Sequence, residues 1–207
     1  MTEPLSRPRW PGADLPGRRI FIAAPLPEVA AAAVAALVAQ VRAAGVPGGG
    51  RDVRWVRLDG LHLTLRFLGP TLDDRIGAAI GAVRAAGAGA HGFDVTLGGA
   101  GTFPNDARPR ALWLGLQAGE GALSEMAGHV DHALAAAGWP FDTKPFRAHL
   151  TLARADGVPA GARIAAHLVE VASAVRIECP IDRIGLFESL TGDGPARYTP
   201  IELVKLG

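Results

Sequence analysis

The tetrapeptide His62-Leu63-Thr64-Leu65 recurs letter for letter as His149-Leu150-Thr151-Leu152. Given the chain's own leucine and threonine usage, two such matches among six histidines are on the order of a few in a million. Alternate side chains of a strand face opposite ways, so in each copy His and Thr share one face and both leucines take the other. Each copy thus sets an imidazole beside a hydroxyl while its leucines anchor the strand in a core. The rest of the chain is expected to bring these two site-building strands together.

Around the motifs, strand and helix signals alternate irregularly. Arg19–Ala24 reads as a strand stopped by Pro25 and Pro27, and Glu28–Ala44 as an alanine-rich helix ended by Gly45. A turn at 47–50 and a short strand at Val53–Val56 precede the first motif strand, Leu61–Leu68, which Gly69-Pro70 should break. Thr71 is the expected N-cap, with Asp74 three residues on, of a helix reaching Ala86. Phe93–Leu97 is a strand, Thr102–Pro109 a loop, Ala111–Leu116 a strand and Glu120–Ala137 a helix closed by Gly138. The second motif strand runs to Arg154, and a shorter helix follows over 160–170. Val171–Cys179, Ile181–Glu188 and Tyr198–Val204 are β-rich, separated by Pro180 and by Gly192-Asp193-Gly194. The pattern predicts an α+β protein of two pseudo-symmetric lobes, each a mostly antiparallel sheet with flanking helices, and an active-site cleft between them. Residues 1–18 read as a flexible extension and 19–207 as a single bilobal domain.

Composition narrows the partners. A hydrophobic fraction of 49% with 20% charged residues describes a soluble globular protein. All of the 21 basic residues except Lys144 and Lys205 are arginine, yet the net charge is only +1. Bulk electrostatic binding to long nucleic acid is therefore excluded, and phosphate recognition must be local. The single Cys179 cannot form an intrachain disulfide, the first eighteen residues lack the apolar run of a signal peptide, and Val29–Val41 is too short to span a bilayer. A cytoplasmic protein without membrane partners is expected.

Two histidines approaching from opposite sides make an acid/base pair, because an intrinsic pKa of about 6.5 allows one to be neutral and the other charged. Cleavage of a phosphodiester needs a base for the attacking oxygen and an acid for the leaving oxygen, roughly in line through phosphorus. Thr64 and Thr151 could bond the non-bridging oxygens, and an arginine could hold the developing charge. Arg66, four residues after His62, has the parity to join them. Arg154, five after His149, has the wrong parity and reaches the site only if its strand ends or bulges near Ala153.

The sequence resembles the two-histidine phosphoesterase superfamily, defined by two His-x-Thr-x motifs, and within it the RNA 2′,3′-cyclic phosphodiesterases, also described as 2′-5′ RNA ligases. The similarity spans residues 18–206 and includes Arg19–Leu26, His62–Gly69, Gly101-Thr102-Phe103-Pro104, Pro109–Gly115, Pro145–Arg154 and Arg197-Tyr198-Thr199. Ala148 stands where the pattern has proline. The resemblance implies a bilobal fold, no metal or other cofactor, and opening of a 2′,3′-cyclic phosphate on an RNA end or small nucleotide to a 2′-phosphomonoester. It also implies that His62 is the proton donor to the leaving 3′ oxygen, that His149 is the proton acceptor activating water, and that Arg154, with Thr64 and Thr151, binds phosphate. The partner is then an RNA end or nucleotide carrying a cyclic phosphate, taken by a monomer. Two alternatives stay open: a phosphate-binding module without turnover, and a phosphodiesterase for 2′-5′ oligoadenylate or ADP-ribose cyclic phosphate.

Other candidates carry blander expectations. Arg66 reads as a solvated rim residue, and Phe21 and Tyr198 as core aromatics before base-stacking ones. His129 and His132, three apart on a helix, lack the partners of a metal site, and His91 and His167 carry no motif. Cys179 is expected as a small buried residue, not a nucleophile.

Overall fold

The computed structural model describes residues 16–44, 53–155, 159–192 and 194–207. The expected helix stop at Gly45, the turn at 47–50 and residues 1–15 of the extension lie outside that set. The described strands are β1 (Arg18–Pro25), β2 (Arg54–Trp55), β3 (His62–Thr71), β4 (Phe93–Phe103), β5 (Ala111–Ala118), β6 (Leu150–Arg154), β7 (Ile177–Ile181), β8 (Arg183–Leu190) and β9 (Arg197–Lys205). The helices are α1 (Glu28–Ala43), α2 (Asp73–Gly87), α3 (Glu120–Ala136) and α4 (Pro159–Ala172), with a 3₁₀ turn at Leu58–Gly60.

Two antiparallel sheets form two lobes, as expected. One has the order β3-β1-β8-β9 and the other β2-β6-β5-β4-β7. Each sheet turns an apolar face to helices. Ile20, Ile22, Leu63, Ile184 and Leu186 do so in the first, and Val95, Leu97, Leu112, Leu114, Leu150 and Leu152 in the second. The opposite face of the first sheet carries a separate aromatic cluster of Phe21, Ala23 and Phe187 with Tyr198 packed against it. Alternation along the strands thus divides each sheet into a core side and a cleft side.

The helices cross between lobes. α1 leaves β1 of the first sheet yet packs on β7 and α4 of the second lobe. α3 leaves β5 of the second sheet yet packs on β3 and α2 of the first. α1 buries Ala30, Val34, Leu37, Val38 and Val41, the spacing of one helical stripe. The helix that precedes each motif strand therefore covers the other lobe's sheet. The motif strands β3 and β6 lie against each other where the sheets meet.

Several boundaries differ from the sequence reading. β3 runs through Gly69-Pro70 to Thr71, because an edge strand can hold a proline whose missing N–H faces away from the ladder. Thr71 is consequently not the N-cap: its hydroxyl donates to the Gly69 carbonyl at 3.2 Å, and α2 is preceded by Leu72 without a side-chain cap. Asp73 and Asp74 instead place negative charge in the first helical turn. β4 continues to Phe103 and takes Thr102 out of the expected loop, since it pairs with β5 on one side along most of its length. Val171 and Ala172 belong to α4, and β7 begins only at Ile177. Pro180 sits inside β7, again an edge strand.

Candidate active site

Local backbone fixes both imidazoles in the same way. The 3₁₀ turn brings the Gly60 carbonyl under His62, whose Nδ1–H donates to it at 2.7 Å. His149 lies one residue ahead of β6, and its Nδ1–H donates to the Arg147 carbonyl, also at 2.7 Å. A carbonyl only accepts, so Nδ1 carries the hydrogen in each ring. The lone pair of each neutral imidazole is then on Nε2, the nitrogen left for chemistry.

Aromatic rings hold each imidazole. His62 lies 4.8 Å from Phe21, centroid to centroid, and 4.8 Å from Tyr198, which meets it edge-on. The close approach of Tyr198 to the turn requires Gly60, where a Cβ would stand 2.9 Å from the tyrosine ring. His149 meets the Phe103 ring edge-on at 5.0 Å, with Trp113 at 6.4 Å. Gly101 lets Trp113 lie flat across the strand, since a Cβ there would reach the indole at 2.5 Å.

Burial dominates the electrostatics of both rings. It pushes the His62 pKa below the ordinary histidine value, partly offset by the bond to Gly60 and reinforced by the facing His149. It lowers His149 likewise, offset by the Arg147 carbonyl and reinforced by the Arg154 guanidinium. The two imidazoles therefore feel each other, and Arg154 stands close enough to act on His149. Arg154 also opposes the upward shift that burial gives the Tyr198 hydroxyl.

A matched pair of bulges explains how Arg154 gets there. In the β1–β3 ladder Ala23 pairs with Thr64 and Ile22 with Arg66, leaving Leu65 unmatched. In the β5–β6 ladder Trp113 pairs with Thr151 and Leu112 with Ala153, leaving Leu152 unmatched. Both bulges fall on the last leucine of the tetrapeptide. One extra residue reverses the parity beyond it, so two consecutive side chains turn to the core: Leu65 and Arg66 in one strand, Leu152 and Ala153 in the other. The next residue, Phe67 or Arg154, then faces the cleft with His and Thr.

The same bulge overturns the expectation for Arg66. It is 9% exposed, not solvated, with Nη1 3.3 Å from Asp131 and 2.9 Å from Asp142, and Nη2 donating to the Pro140 carbonyl at 2.7 Å. It ties β3 to α3 and to the segment leading to His149. Phe21 is fully buried and Tyr198 half-buried, so both are core aromatics that also wall His62. His129 is exposed, and the His132 ring bonds its own helix at the Gly128 carbonyl. Cys179 is buried with its thiol pushed up to about 12 by desolvation and Asp94, which suppresses the thiolate. Phe67, Phe103 and Phe187 are the cleft residues that sequence reasoning missed. Nothing in the sequence marked them: only the bulge at Leu65 turns Phe67 to the cleft, and Phe103 and Phe187 come from other strands, β4 and β8.

Beside His62, the first turns of α1 and the 3₁₀ turn enclose a groove of about 570 Å³, lined by Pro25, Glu28, Leu58, Asp59, His62 and Tyr198 among others. No described helix is long and apolar enough to cross a membrane.

This geometry has counterparts among known proteins. The family profile described as the 2′-5′ RNA ligase superfamily matches residues 26–193. The RNA 2′,3′-cyclic phosphodiesterase of Aeropyrum pernix is 32% identical over 160 residues, covering 74% of this chain and 87% of that protein. The Escherichia coli protein of the same name is 28% identical over 159 residues, 72% of this chain and 77% of its own length. The crystal structure of Escherichia coli LigT complexed with 3′-AMP is similar with a TM-score of 0.68 and 27% identity, covering 91% of this chain and 98% of that one.

Proposed function

The chain belongs to the 2′-5′ RNA ligase superfamily, and from that premise we propose that it opens 2′,3′-cyclic phosphodiesters of RNA ends or nucleotides to 2′-phosphomonoesters by two-histidine acid/base catalysis. The observation that carries this reading is the pair of imidazoles near enough for His149 to act on His62, each with Nδ1–H committed to the carbonyl two residues upstream. Neutral His149 takes a proton on Nε2 from the water attacking phosphorus. Protonated His62 gives its Nε2 proton to the departing 3′ oxygen, and proton exchange with solvent resets both rings. Thr64, Thr151 and Arg154 bond the non-bridging oxygens as their charge grows. The phosphate monoanion raises the pKa of both buried rings when it binds, which favours the charged form of His62 in the complex.

Every group in this scheme comes from the chain, so the reaction needs no metal. We read residues 19–207 as one bilobal domain acting as a cytoplasmic monomer, a reading supported by the helices exchanged between the lobes and by the lone Cys179. The test is hydrolysis of a nucleoside 2′,3′-cyclic phosphate in excess chelator, with the product identified. Undiminished turnover to the 2′-phosphate is expected. Loss of all turnover on chelation contradicts the metal-free scheme, and exclusive 3′-phosphate contradicts the assigned leaving oxygen. Tight binding without turnover between about pH 5 and 8, where histidine titrates, would leave a binding module instead.

A further inference from the structure

The geometry points to Arg66, on the first motif strand, as the positioning residue for the histidine of the second motif. The inference rests on the phosphodiesterase reading above and names what holds its general base in place. The two imidazoles are supported unequally. His62 lies within β3, paired with Pro25, and the carbonyl that orients it belongs to a 3₁₀ turn closed by the Gly60 N–H donating to the Arg57 carbonyl at 3.3 Å. His149 stands one residue ahead of β6, outside the ladder with β5. The carbonyl that orients it, that of Arg147, comes from residues 139–149, which form neither helix nor strand. A stretch with no ladder of its own is placed by the other bonds its backbone and side chains make.

Those bonds converge on Arg66 of the first lobe. Its Nη2 donates to the Pro140 carbonyl at 2.7 Å, while Nη1 lies 2.9 Å from Asp142 and 3.3 Å from Asp131 of α3. Asp131 in turn accepts the Asp142 N–H at 3.2 Å, and the Asp142 carboxylate accepts the Lys144 N–H at 3.0 Å. The guanidinium is the centre of a brace over residues 140–144, and Phe146 and Ala148, packed on the core, carry the constraint on to His149. Without the buried cation, Asp131 and Asp142 would repel each other and the segment would lose its hold on α3. The bulge at Leu65 makes the brace possible, because it turns Arg66 from the cleft to the opposite side of the sheet. Each motif's histidine thus has its own local acceptor, but the second depends on a side chain of the first motif strand.

The experiment uses Arg66→Met, which keeps a long side chain without its charge, and Asp142→Ala, which frees the segment while leaving Arg66 beside Asp131. Asp142 is exposed, so the second variant carries the test if the first fails to fold. The substrates are a nucleoside 2′,3′-cyclic phosphate and its analogue with sulfur in place of the 3′ oxygen, which leaves without an acid and so reports on the base. Well below Tm, kcat of Arg66→Met should fall on the order of 10²-fold, the cost of misplacing a group by about 1 Å. KM should change little, because the β5–β6 ladder still holds Thr151 and Arg154. The sulfur analogue should show the same loss, and Asp142→Ala a smaller one of the same pattern. Nitrogen-15 NMR of the rings at about pH 8, where both are neutral, should find Nδ1–H on each histidine of the wild type and Nε2–H appearing on His149 alone in the variants. Recovery on the sulfur analogue would overturn the inference, because Arg66 would then act on His62 through its own strand. Unchanged kcat with a lowered Tm would reduce Arg66 to a structural ion pair. A His149 tautomer left intact by both variants would sink the brace and spare the phosphodiesterase reading. A wild type that hydrolyses neither substrate sinks that reading and the inference with it.

Discussion

His62 and His149 are held by the same bond, to the carbonyl two residues before them, and are pushed the same way by burial. Their depressed pKa values link folding to pH. As pH falls below about 6.5, the ordinary histidine value, the unfolded chain takes up protons that the folded chain refuses, so stability falls with pH. The contribution is fully present above the unfolded pKa and lost as pH drops through the lower folded one. His62→Gln should therefore flatten the decline of Tm between pH 7 and 5 relative to wild type, and parallel curves would refute the assignment. In the proposed mechanism the pair acts as a unit. Each single His→Ala variant should cost roughly 10²- to 10⁴-fold in kcat, and the double variant much less than their product. A multiplicative double would show that the two rings act independently. These residues were legible because the duplication marked them. Arg154 was legible only through family resemblance, since its parity argued against it, and Phe67 was not legible at all.

At the scale of elements, the site depends on where a strand gains one residue. The bulges at Leu65 and Leu152 decide which side chain of each consecutive pair sees the cleft. A tetrapeptide cannot announce them, because Leu-Arg-Phe and Leu-Ala-Arg are equally compatible with a regular strand. Edge position is hidden for the same reason: Pro70 and Pro180 read as breakers, and only the sheet order makes them harmless. The bulge predicts that arginine cannot be moved by one place. Arg154→Ala should lower kcat/KM by about 1.5–3 kcal/mol, one charge-assisted phosphate contact, and Arg154→Lys should recover part of it. Adding Ala153→Arg to Arg154→Ala should recover nothing. Ala153 is fully buried, so a guanidinium there costs several kcal/mol of stability, readable as a lowered denaturant midpoint. Recovery of activity would mean that β6 is regular in solution.

At the scale of the molecule, the two lobes are similar but not separable. α1 and α3 each follow a strand of one sheet and cover the other, so each sheet takes one of its helices from a connection that leaves the other sheet. Strand and helix identities were readable from periodicity, whereas this exchange was not, because it depends on contacts distant in sequence. It predicts one cooperative unfolding transition. Tryptophan fluorescence, with Trp55 and Trp113 in the second sheet, and far-UV circular dichroism should give coincident denaturation curves. Separate transitions would show that the lobes fold on their own.

The proposed mechanism requires unequal roles of two nearly equivalent histidines. A nucleoside 2′,3′-cyclic phosphate with sulfur in place of the 3′ oxygen separates them, because a thiolate leaves without a proton donor. On this substrate His62→Ala should regain most of wild-type kcat, while His149→Ala stays inactive for want of a base to activate water. Rescue of His149→Ala with His62→Ala still inactive would reverse the assignment. Rescue of neither would show that the imidazoles bind phosphate without moving protons.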